Sequence, residues 1–257
     1  MKLGFRLFLN LTAREIRNRL GYSGFGIFWL VVNPILLLSV YAFVFGVIFK
    51  ARSPEGLDYP FIVWLALGLW PWLAFSDSTL RASQAIRQHS ALISKISINR
   101  SVLVFSVSTA QFLLHLIGYS VVLVVIQISN IDITWQGLPY ALITLISLYI
   151  FIMGLGLILA GLTVFIKDLD QLLPVLFMLW FFLTPILYAP TVLPPKALLL
   201  MKFNPMAMWV EELRSALTLG QMIPNQTFLY LVCLSAITFW LGLLIFRRLS
   251  PYFEDFL

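Results

Sequence analysis

Leu138–Ile166, LPYALITLISLYIFIMGLGLILAGLTVFI, carries no charged side chain over its whole length. About 20 apolar residues are enough to cross a bilayer as a helix, so this run reads as a membrane span. Working outward from it, five more stretches read the same way: Ile27–Phe49, Phe61–Gln84, Ser101–Asn130, Gln171–Ala189 and Thr227–Phe246. Helices are the spanning element this pattern allows, because each segment must satisfy its own backbone hydrogen bonds in lipid, and the alternation of a β-barrel strand is absent. The expected fold class is an all-α integral membrane protein with six transmembrane helices, organised as a single transmembrane domain over 1–257.

Composition agrees. Of 257 residues, 61% are apolar and 11% charged, against about 45–50% and about 25% in a soluble domain. Too few charges remain to clothe a water-facing surface, which excludes a soluble globular enzyme. The net charge of +6 does not point to nucleic acid, since no soluble face gathers the cations. Their distribution instead sets topology. With six spans, twelve of the Lys and Arg residues fall on the side holding both termini and five on the other. The positive-inside rule then puts both termini in the cytoplasm. The first apolar run is too long for the core of a cleavable signal peptide. The single cysteine, Cys233, reads as a small apolar packing residue. His89 and His115 are far apart and lack an HExxH pattern, so no metal site is expected.

Polar segments frame the spans. In residues 1–24, Phe5, Phe8, Leu9, Thr12, Ala13, Ile16 and Leu20 fall on one helical face and Arg6, Asn10, Arg14 and Arg17 on the other. This predicts an amphipathic helix lying in the interface against membrane lipids, although Leu7 and Leu11 break the pattern. The cytoplasmic loop Gln84–Arg100 aligns Leu92, Ile93 and Ile96 on one face. That face either packs back on the spans or docks a cytoplasmic partner. Pro185, Pro190, Pro194, Pro195 and Pro205 punctuate the chain into and through the outer segment 190–224 between spans five and six. Asn204-Pro205 reads as helix cap and first position. Met206, Trp209, Val210, Leu213 and Leu217 recur at helical spacing, Gly220 is placed to stop the helix, and Glu211, Glu212 and Ser215 take the polar side. Such a segment is either a lid or a loop resting on the interface.

Machinery for capturing energy is missing from the motifs. There is no GxxxxGK[ST] phosphate loop. Asp77 and Arg81 sit four apart, the spacing of a helical ion pair. Asp168 and Asp170 share one short loop and are the weak basis for an enzyme acting on lipid-linked sugars; a solvated turn is the plainer reading. Aromatic residues are 15% of the chain. Trp64, Trp70, Trp72 and Phe75 crowd around Pro71, and Tyr41, Phe45, Trp180, Phe181 and Tyr188 add rings in spans one and five. These are either ordinary membrane aromatics or the lining of a channel on which sugar faces stack.

Several motifs together resemble a known family. They are LTAREIRNRLGYSGFGIFWLVVNPILLLSVYAFVFG (Leu11–Gly46), GLWPW (Gly68–Trp72), LISKISINR (Leu92–Arg100), FIKDLDQLLP (Phe165–Pro174), FFLTPILY (Phe181–Tyr188) and FNPMAMWVEELRSAL (Phe203–Leu217). In order and spacing the chain resembles the permease subunit of ABC-2-type polysaccharide exporters, the branch handling O-antigen, teichoic acid and capsule. It departs from the family's usual pattern at Asn99-Arg100, where Pro-Arg is common, and at Lys167-Asp168, where Arg-Asp is common. The resemblance implies a homodimer in the bacterial cytoplasmic (inner) membrane. It also implies a separate ABC ATPase subunit that holds the ATP and Mg, and a polyprenyl-diphosphate-linked polysaccharide moving between two copies. By it, Leu92, Lys95, Ile96 and Arg100 couple to the ATPase, the nine rings above line the channel, and Pro185, Pro190, Asn204, Pro205 and Trp209 form the outer gate. Arg14 and Arg17 are expected to attract the diphosphate. The rival expectations are an ABC-2 permease for a drug or small lipid, and the integral-membrane enzyme.

Overall fold

A computed structural model describes residues 2–21, 26–50, 59–93, 99–129, 131, 133–190 and 193–256. Every regular element among them is helical: α1 Lys2–Gly21, α2 Gly26–Tyr41 continuing as a π-helical stretch Ala42–Ile48, α3 Phe61–Gln88, α4 Ser90–Ile93, α5 Arg100–Ile128, α6 Leu138–Phe165, α7 Leu169–Leu183, α8 Pro195–Met201, α9 Pro205–Leu219 and α10 Gln226–Leu249. A 3₁₀ turn at Trp135–Gly137 leads into α6, and another at Ser250–Asp255 follows α10.

Among the described residues, five helices are long and apolar enough to cross a membrane: Phe28–Ile48, Phe61–Gln88, Arg100–Ile128, Trp135–Phe165 and Gln226–Asp255. The expected fifth span, Gln171–Ala189, is instead the shorter α7, which ends at Leu183. At 1.5 Å per residue its 15 residues reach about 22 Å, short of a hydrocarbon core of about 30 Å. The apolar run continues, but the helix stops at Thr184-Pro185 and the chain turns inward, burying Ile186 completely.

The centre of the bundle is α3. Val63 to Trp72 is buried residue after residue, as expected of a helix apolar all round. Pro71 cannot donate to Leu67 O, and that carbonyl instead accepts Tyr119 OH from α5 at 3.5 Å. Small residues let α6 approach on two sides. A Cβ on Gly156 would meet the Ala82 Cβ of α3 at 2.7 Å, and one on Gly154 would meet Phe239 N of α10 at 2.5 Å. Ser235 Oγ donates to Ser147 O at 2.8 Å across the α6–α10 contact. Cys233 lies on an exposed face of α10 rather than in the packed interior.

The α1 helix forms as expected but turns differently. Leu11 and Thr12 are buried, and Leu7 and Leu11 pack on the cluster around Phe246 and Phe253, whereas Phe5 and Leu9 are exposed. The two residues that broke the amphipathic pattern are therefore the ones that hold α1 to the bundle. The face carrying Phe5 and Leu9 has no covering from the described residues of the bundle.

Candidate functional site: the α9 segment and the loop at the opposite end

The segment between α7 and α10 is built around α9. Asn204 caps it as its spacing predicted, with Oδ1 accepting Met206 N at 3.1 Å, and Gly220 ends it in the left-handed region at φ 67°. Asn204 does more than cap. Its Oδ1 also accepts Trp180 Nε1 at 2.9 Å, and its Nδ2 donates to Leu183 O at 3.1 Å and Thr184 Oγ1 at 3.0 Å. The end of α7 is thereby fastened to the start of α9. Trp209 is fully buried, donating Nε1 to Ser147 Oγ at 2.9 Å and packing its ring 4.8 Å from Phe151.

Two charges on α9 are buried, contrary to the polar face expected for Glu212. Glu212 accepts Tyr140 OH at 2.6 Å and Asn225 Nδ2 at 2.8 Å, while Glu211 remains exposed. Arg214 reaches into the bundle. Its Nε donates to Trp64 O at 3.1 Å, its Nη1 to Pro185 O at 2.9 Å, and its Cζ lies 3.4 Å from the Trp64 ring centroid. Gly68 makes room for it, since a Cβ there would stand 2.3 Å from Nη2. Among the described residues no carboxylate is within ion-pair range of this guanidinium. Burial pushes its pKa down to about 9, so it keeps its charge at neutral pH. The burial follows from position: α9 packs against α3, α6 and α10 at once and has little free surface.

Two cavities open beside this segment. One, of about 700 Å³, is lined by Trp180, Phe182, Leu183, Tyr188, Phe203 and Asn204. The other, of about 620 Å³, lies over Pro185, Pro190, Lys202, Met208 and Glu211. Pro185 is buried and Pro190 partly so.

The nine rings separate into two groups. Trp64, Trp70, Trp72 and Phe75 are buried within the chain. Phe75 stands at the middle of an aromatic core, 5.5 Å from Trp72, 5.1 Å from Trp180 and 5.9 Å from Phe151. Tyr41, Phe45, Trp180, Phe181 and Tyr188 are only partly covered. Tyr41 and Phe45 stack on one face of the first span at 5.9 Å.

At the opposite end, the flanks of the 84–100 loop are tied to three elements. Arg87 pairs with Asp170 at the start of α7. His89 Nε2 lies 3.2 Å from Glu15 of α1. Arg100 binds Ser250 O and the Glu254 carboxylate and sits 5.9 Å from the Phe253 ring, which fastens α5 to the C-terminal turn. Lys95, Ile96 and the side chain of Leu92 lie outside the described residues. None of these ties was visible in the spacing, because their partners are distant in sequence. Asp77 likewise binds His115 Nε2 at 3.0 Å across α3 and α5 rather than Arg81. Arg14 is 3.9 Å from Glu15, and Arg17 is exposed.

The carboxylates of the enzyme reading do not gather. Asp170 is held by Arg87 and Asp168 is exposed in its turn. Among the described residues no group of three His, Cys, Asp or Glu could hold a metal. The chain is a multi-pass membrane protein whose polar groups clamp helices to one another. The ABC-2 type transporter family profile matches residues 6–218, and the chain belongs to that family. Its relatives include the O-antigen export system permease protein RfbA of Klebsiella pneumoniae, 26% identical over 98% of this chain and 95% of that protein. The RfbA of Myxococcus xanthus is 27% identical over 97% and 94%. The polysialic acid transport protein KpsM of Escherichia coli is 24% identical over 92% and 91%.

Proposed function

We propose that this chain is the permease half of an ATP-driven exporter that moves a polyprenyl-diphosphate-linked polysaccharide, with O-antigen as the leading cargo, across the cytoplasmic membrane. The observation that carries the reading is near-full-length similarity to permeases whose names place them in O-antigen and polysialic acid export. Two copies form the pathway, with α7 and the turn after it completing the sixth crossing in the dimer and both termini cytoplasmic. A separate cytoplasmic ABC ATPase supplies ATP and Mg and docks on Leu92, Lys95, Ile96 and Arg100. The ties from this loop to α1, α7 and the C-terminal turn support that assignment, since they carry a push on the loop into three elements. Tyr41, Phe45, Trp180, Phe181 and Tyr188 face the glycan, and the buried Trp64, Trp70, Trp72 and Phe75 brace them. The gate is the α9 segment with Pro185, Pro190, Asn204, Pro205 and Trp209. Arg14 and Arg17 present cations to headgroups at the interface.

Deletion of the gene tests the reading. Lipid-linked glycan should accumulate inside the cell and disappear from the surface, and the wild-type gene should restore it. Unchanged glycan on both sides would discard polysaccharide export in favour of an ABC-2 permease for a small molecule.

A further inference from the structure

Between α1, α3 and α5, at the end of the bundle that carries both chain termini, lies a crevice of about 330 Å³ lined by Glu15, Asn18, Arg19, Arg81, Gln88 and Val107. Its polar members come from regular spacing. Glu15, Asn18 and Arg19 fall at i, i+3 and i+4 on α1, and Arg81 and Gln88 fall two turns apart on α3. Among the described residues neither Arg19 nor Arg81 has a carboxylate within ion-pair distance. The acids nearby are engaged elsewhere: Glu15 with His89 and Arg14, and Asp77 with His115. Partial desolvation and the adjacent Arg81 cation lower the Arg19 pKa, with Asp77 and Glu15 pulling the other way. Two like charges thus face one small polar cavity whose one lining carboxylate, Glu15, is paired with His89 and Arg14.

We propose that this crevice is a binding site for a phosphate ester, seating the diphosphate of the lipid-linked substrate between Arg19 and Arg81. The proposal rests on the export reading for the identity of the lipid. Guanidinium forks bind phosphate oxygens in pairs, which a lysine cannot do. Asn18 and Gln88 supply neutral donors beside them. The volume holds roughly ten waters, which suits a diphosphate but not a glycan chain. The site is also at the right depth. The exposed Phe5 and Leu9 put α1 in the interface, so a headgroup reaches the crevice while its polyprenyl tail stays in lipid. The site lies about one turn beyond Arg14 and Arg17, which then serve as the approach.

The test uses the full chain in phosphatidylcholine nanodiscs, with binding of undecaprenyl diphosphate read by native mass spectrometry. Arg19→Gln and Arg81→Gln should each weaken binding by about tenfold or more, and the pair together should reduce it to the level of protein-free discs. Arg6→Gln, on the exposed part of α1, is the control and should bind normally. Inorganic pyrophosphate should compete with the lipid in wild type and fail to bind the double variant. Wild-type affinity in a folded double variant would overturn the site. Equal binding of phosphatidylglycerol, lost in the same variants, would overturn its assignment to the substrate by making it a site for bilayer lipid. Failure of the export reading looks different: diphosphate binding would remain Arg-dependent while gene deletion left surface glycan unchanged.

Discussion

The α6–α10 crossing gives the sharpest test of the packing. A Cβ added to Gly154 would stand 2.5 Å from both Phe239 N and Thr238 C, and one added to Gly242 would stand 2.4 Å from Gly154 O. Ordinary contact begins at 3.4 Å, so Gly154→Ala must part the helices by about 0.9 Å, and the obstacle is backbone that no rotamer change can clear. The same parting would stretch the 2.8 Å bond from Ser235 Oγ to Ser147 O beyond hydrogen-bond range. Overpacking of this kind costs about 1–3 kcal/mol. Gly242→Ala should cost a similar amount. The double variant should cost clearly less than the sum, because one separation accommodates both methyls. Gly4→Ala is the reference, since its Cβ meets nothing within 4 Å. It should be neutral or stabilising by up to about 1 kcal/mol through helix propensity. The assay is reversible denaturation of the purified chain in mixed micelles, followed by tryptophan fluorescence. A Gly154→Ala protein as stable as Gly4→Ala, or a fully additive double variant, would refute the close crossing.

Three further outcomes follow from the polar clamps and the rings. Arg214→Ala should leave Pro185 O without a donor and cost about 1–3 kcal/mol, and Arg214→Lys should not rescue it, because an ammonium cannot serve both carbonyls and stack on Trp64; thermal unfolding in detergent checks both. Arg87→Glu should change stability by less than about 1 kcal/mol yet lower glycan-stimulated ATP turnover in the assembled transporter, with Asp170→Arg restoring it; no recovery in the charge swap would remove the pair from the coupling path. Trp72→Ala should destabilise by about 3–5 kcal/mol, whereas Tyr188→Ala should leave the fold intact and slow surface appearance of glycan. Equal loss of folded protein in both would make Tyr188 a packing residue.

What the sequence disclosed was chemistry that acts locally. Asn204, Pro205 and Gly220 marked both ends of α9 correctly because a cap, a first-turn proline and a left-handed stop each work within a few residues. Long apolar runs, charge-free in all but α3, located the long helices for the same reason. The rest was set by partners far away in the chain. A helical i,i+4 pair is worth only about 0.2–0.5 kcal/mol, so Asp77 bonds to His115 on the neighbouring helix instead of following its spacing to Arg81. Glu212 was assigned to a polar face because periodicity cannot register a helix covered on several sides. Leu7 and Leu11 were read as interruptions because an amphipathic pattern assumes one apolar face, whereas α1 buries one apolar face in the bundle and leaves a second exposed.

The placement of the clamps gives α3 a particular role in the proposed transport cycle. Its 28 residues extend about 42 Å. At one end Arg87 holds the start of α7, and Arg81 and Gln88 line the crevice. At the other, Trp64 and Gly68 cradle Arg214 of α9, whose Nη1 also holds the Pro185 carbonyl after α7. Pro71 sits between these ends, and the Leu67 carbonyl it leaves without a helical donor is taken up by Tyr119 rather than exposed. Where α3 is packed on all sides, from Val63 to Trp72, it transmits displacement as a rigid body, because a close-packed interior resists compression. The α7 helix is held at both ends by the same two clamps, so α3 and α7 form a frame with charged corners. A push delivered at the Arg87–Asp170 corner therefore reaches the Arg214 corner without requiring either helix to bend. In the proposed cycle that corner is where the α9 segment yields to let glycan leave, and Arg214 is suited to yielding: its partners are carbonyl oxygens and an aromatic face, which it can exchange for others without separating an ion pair.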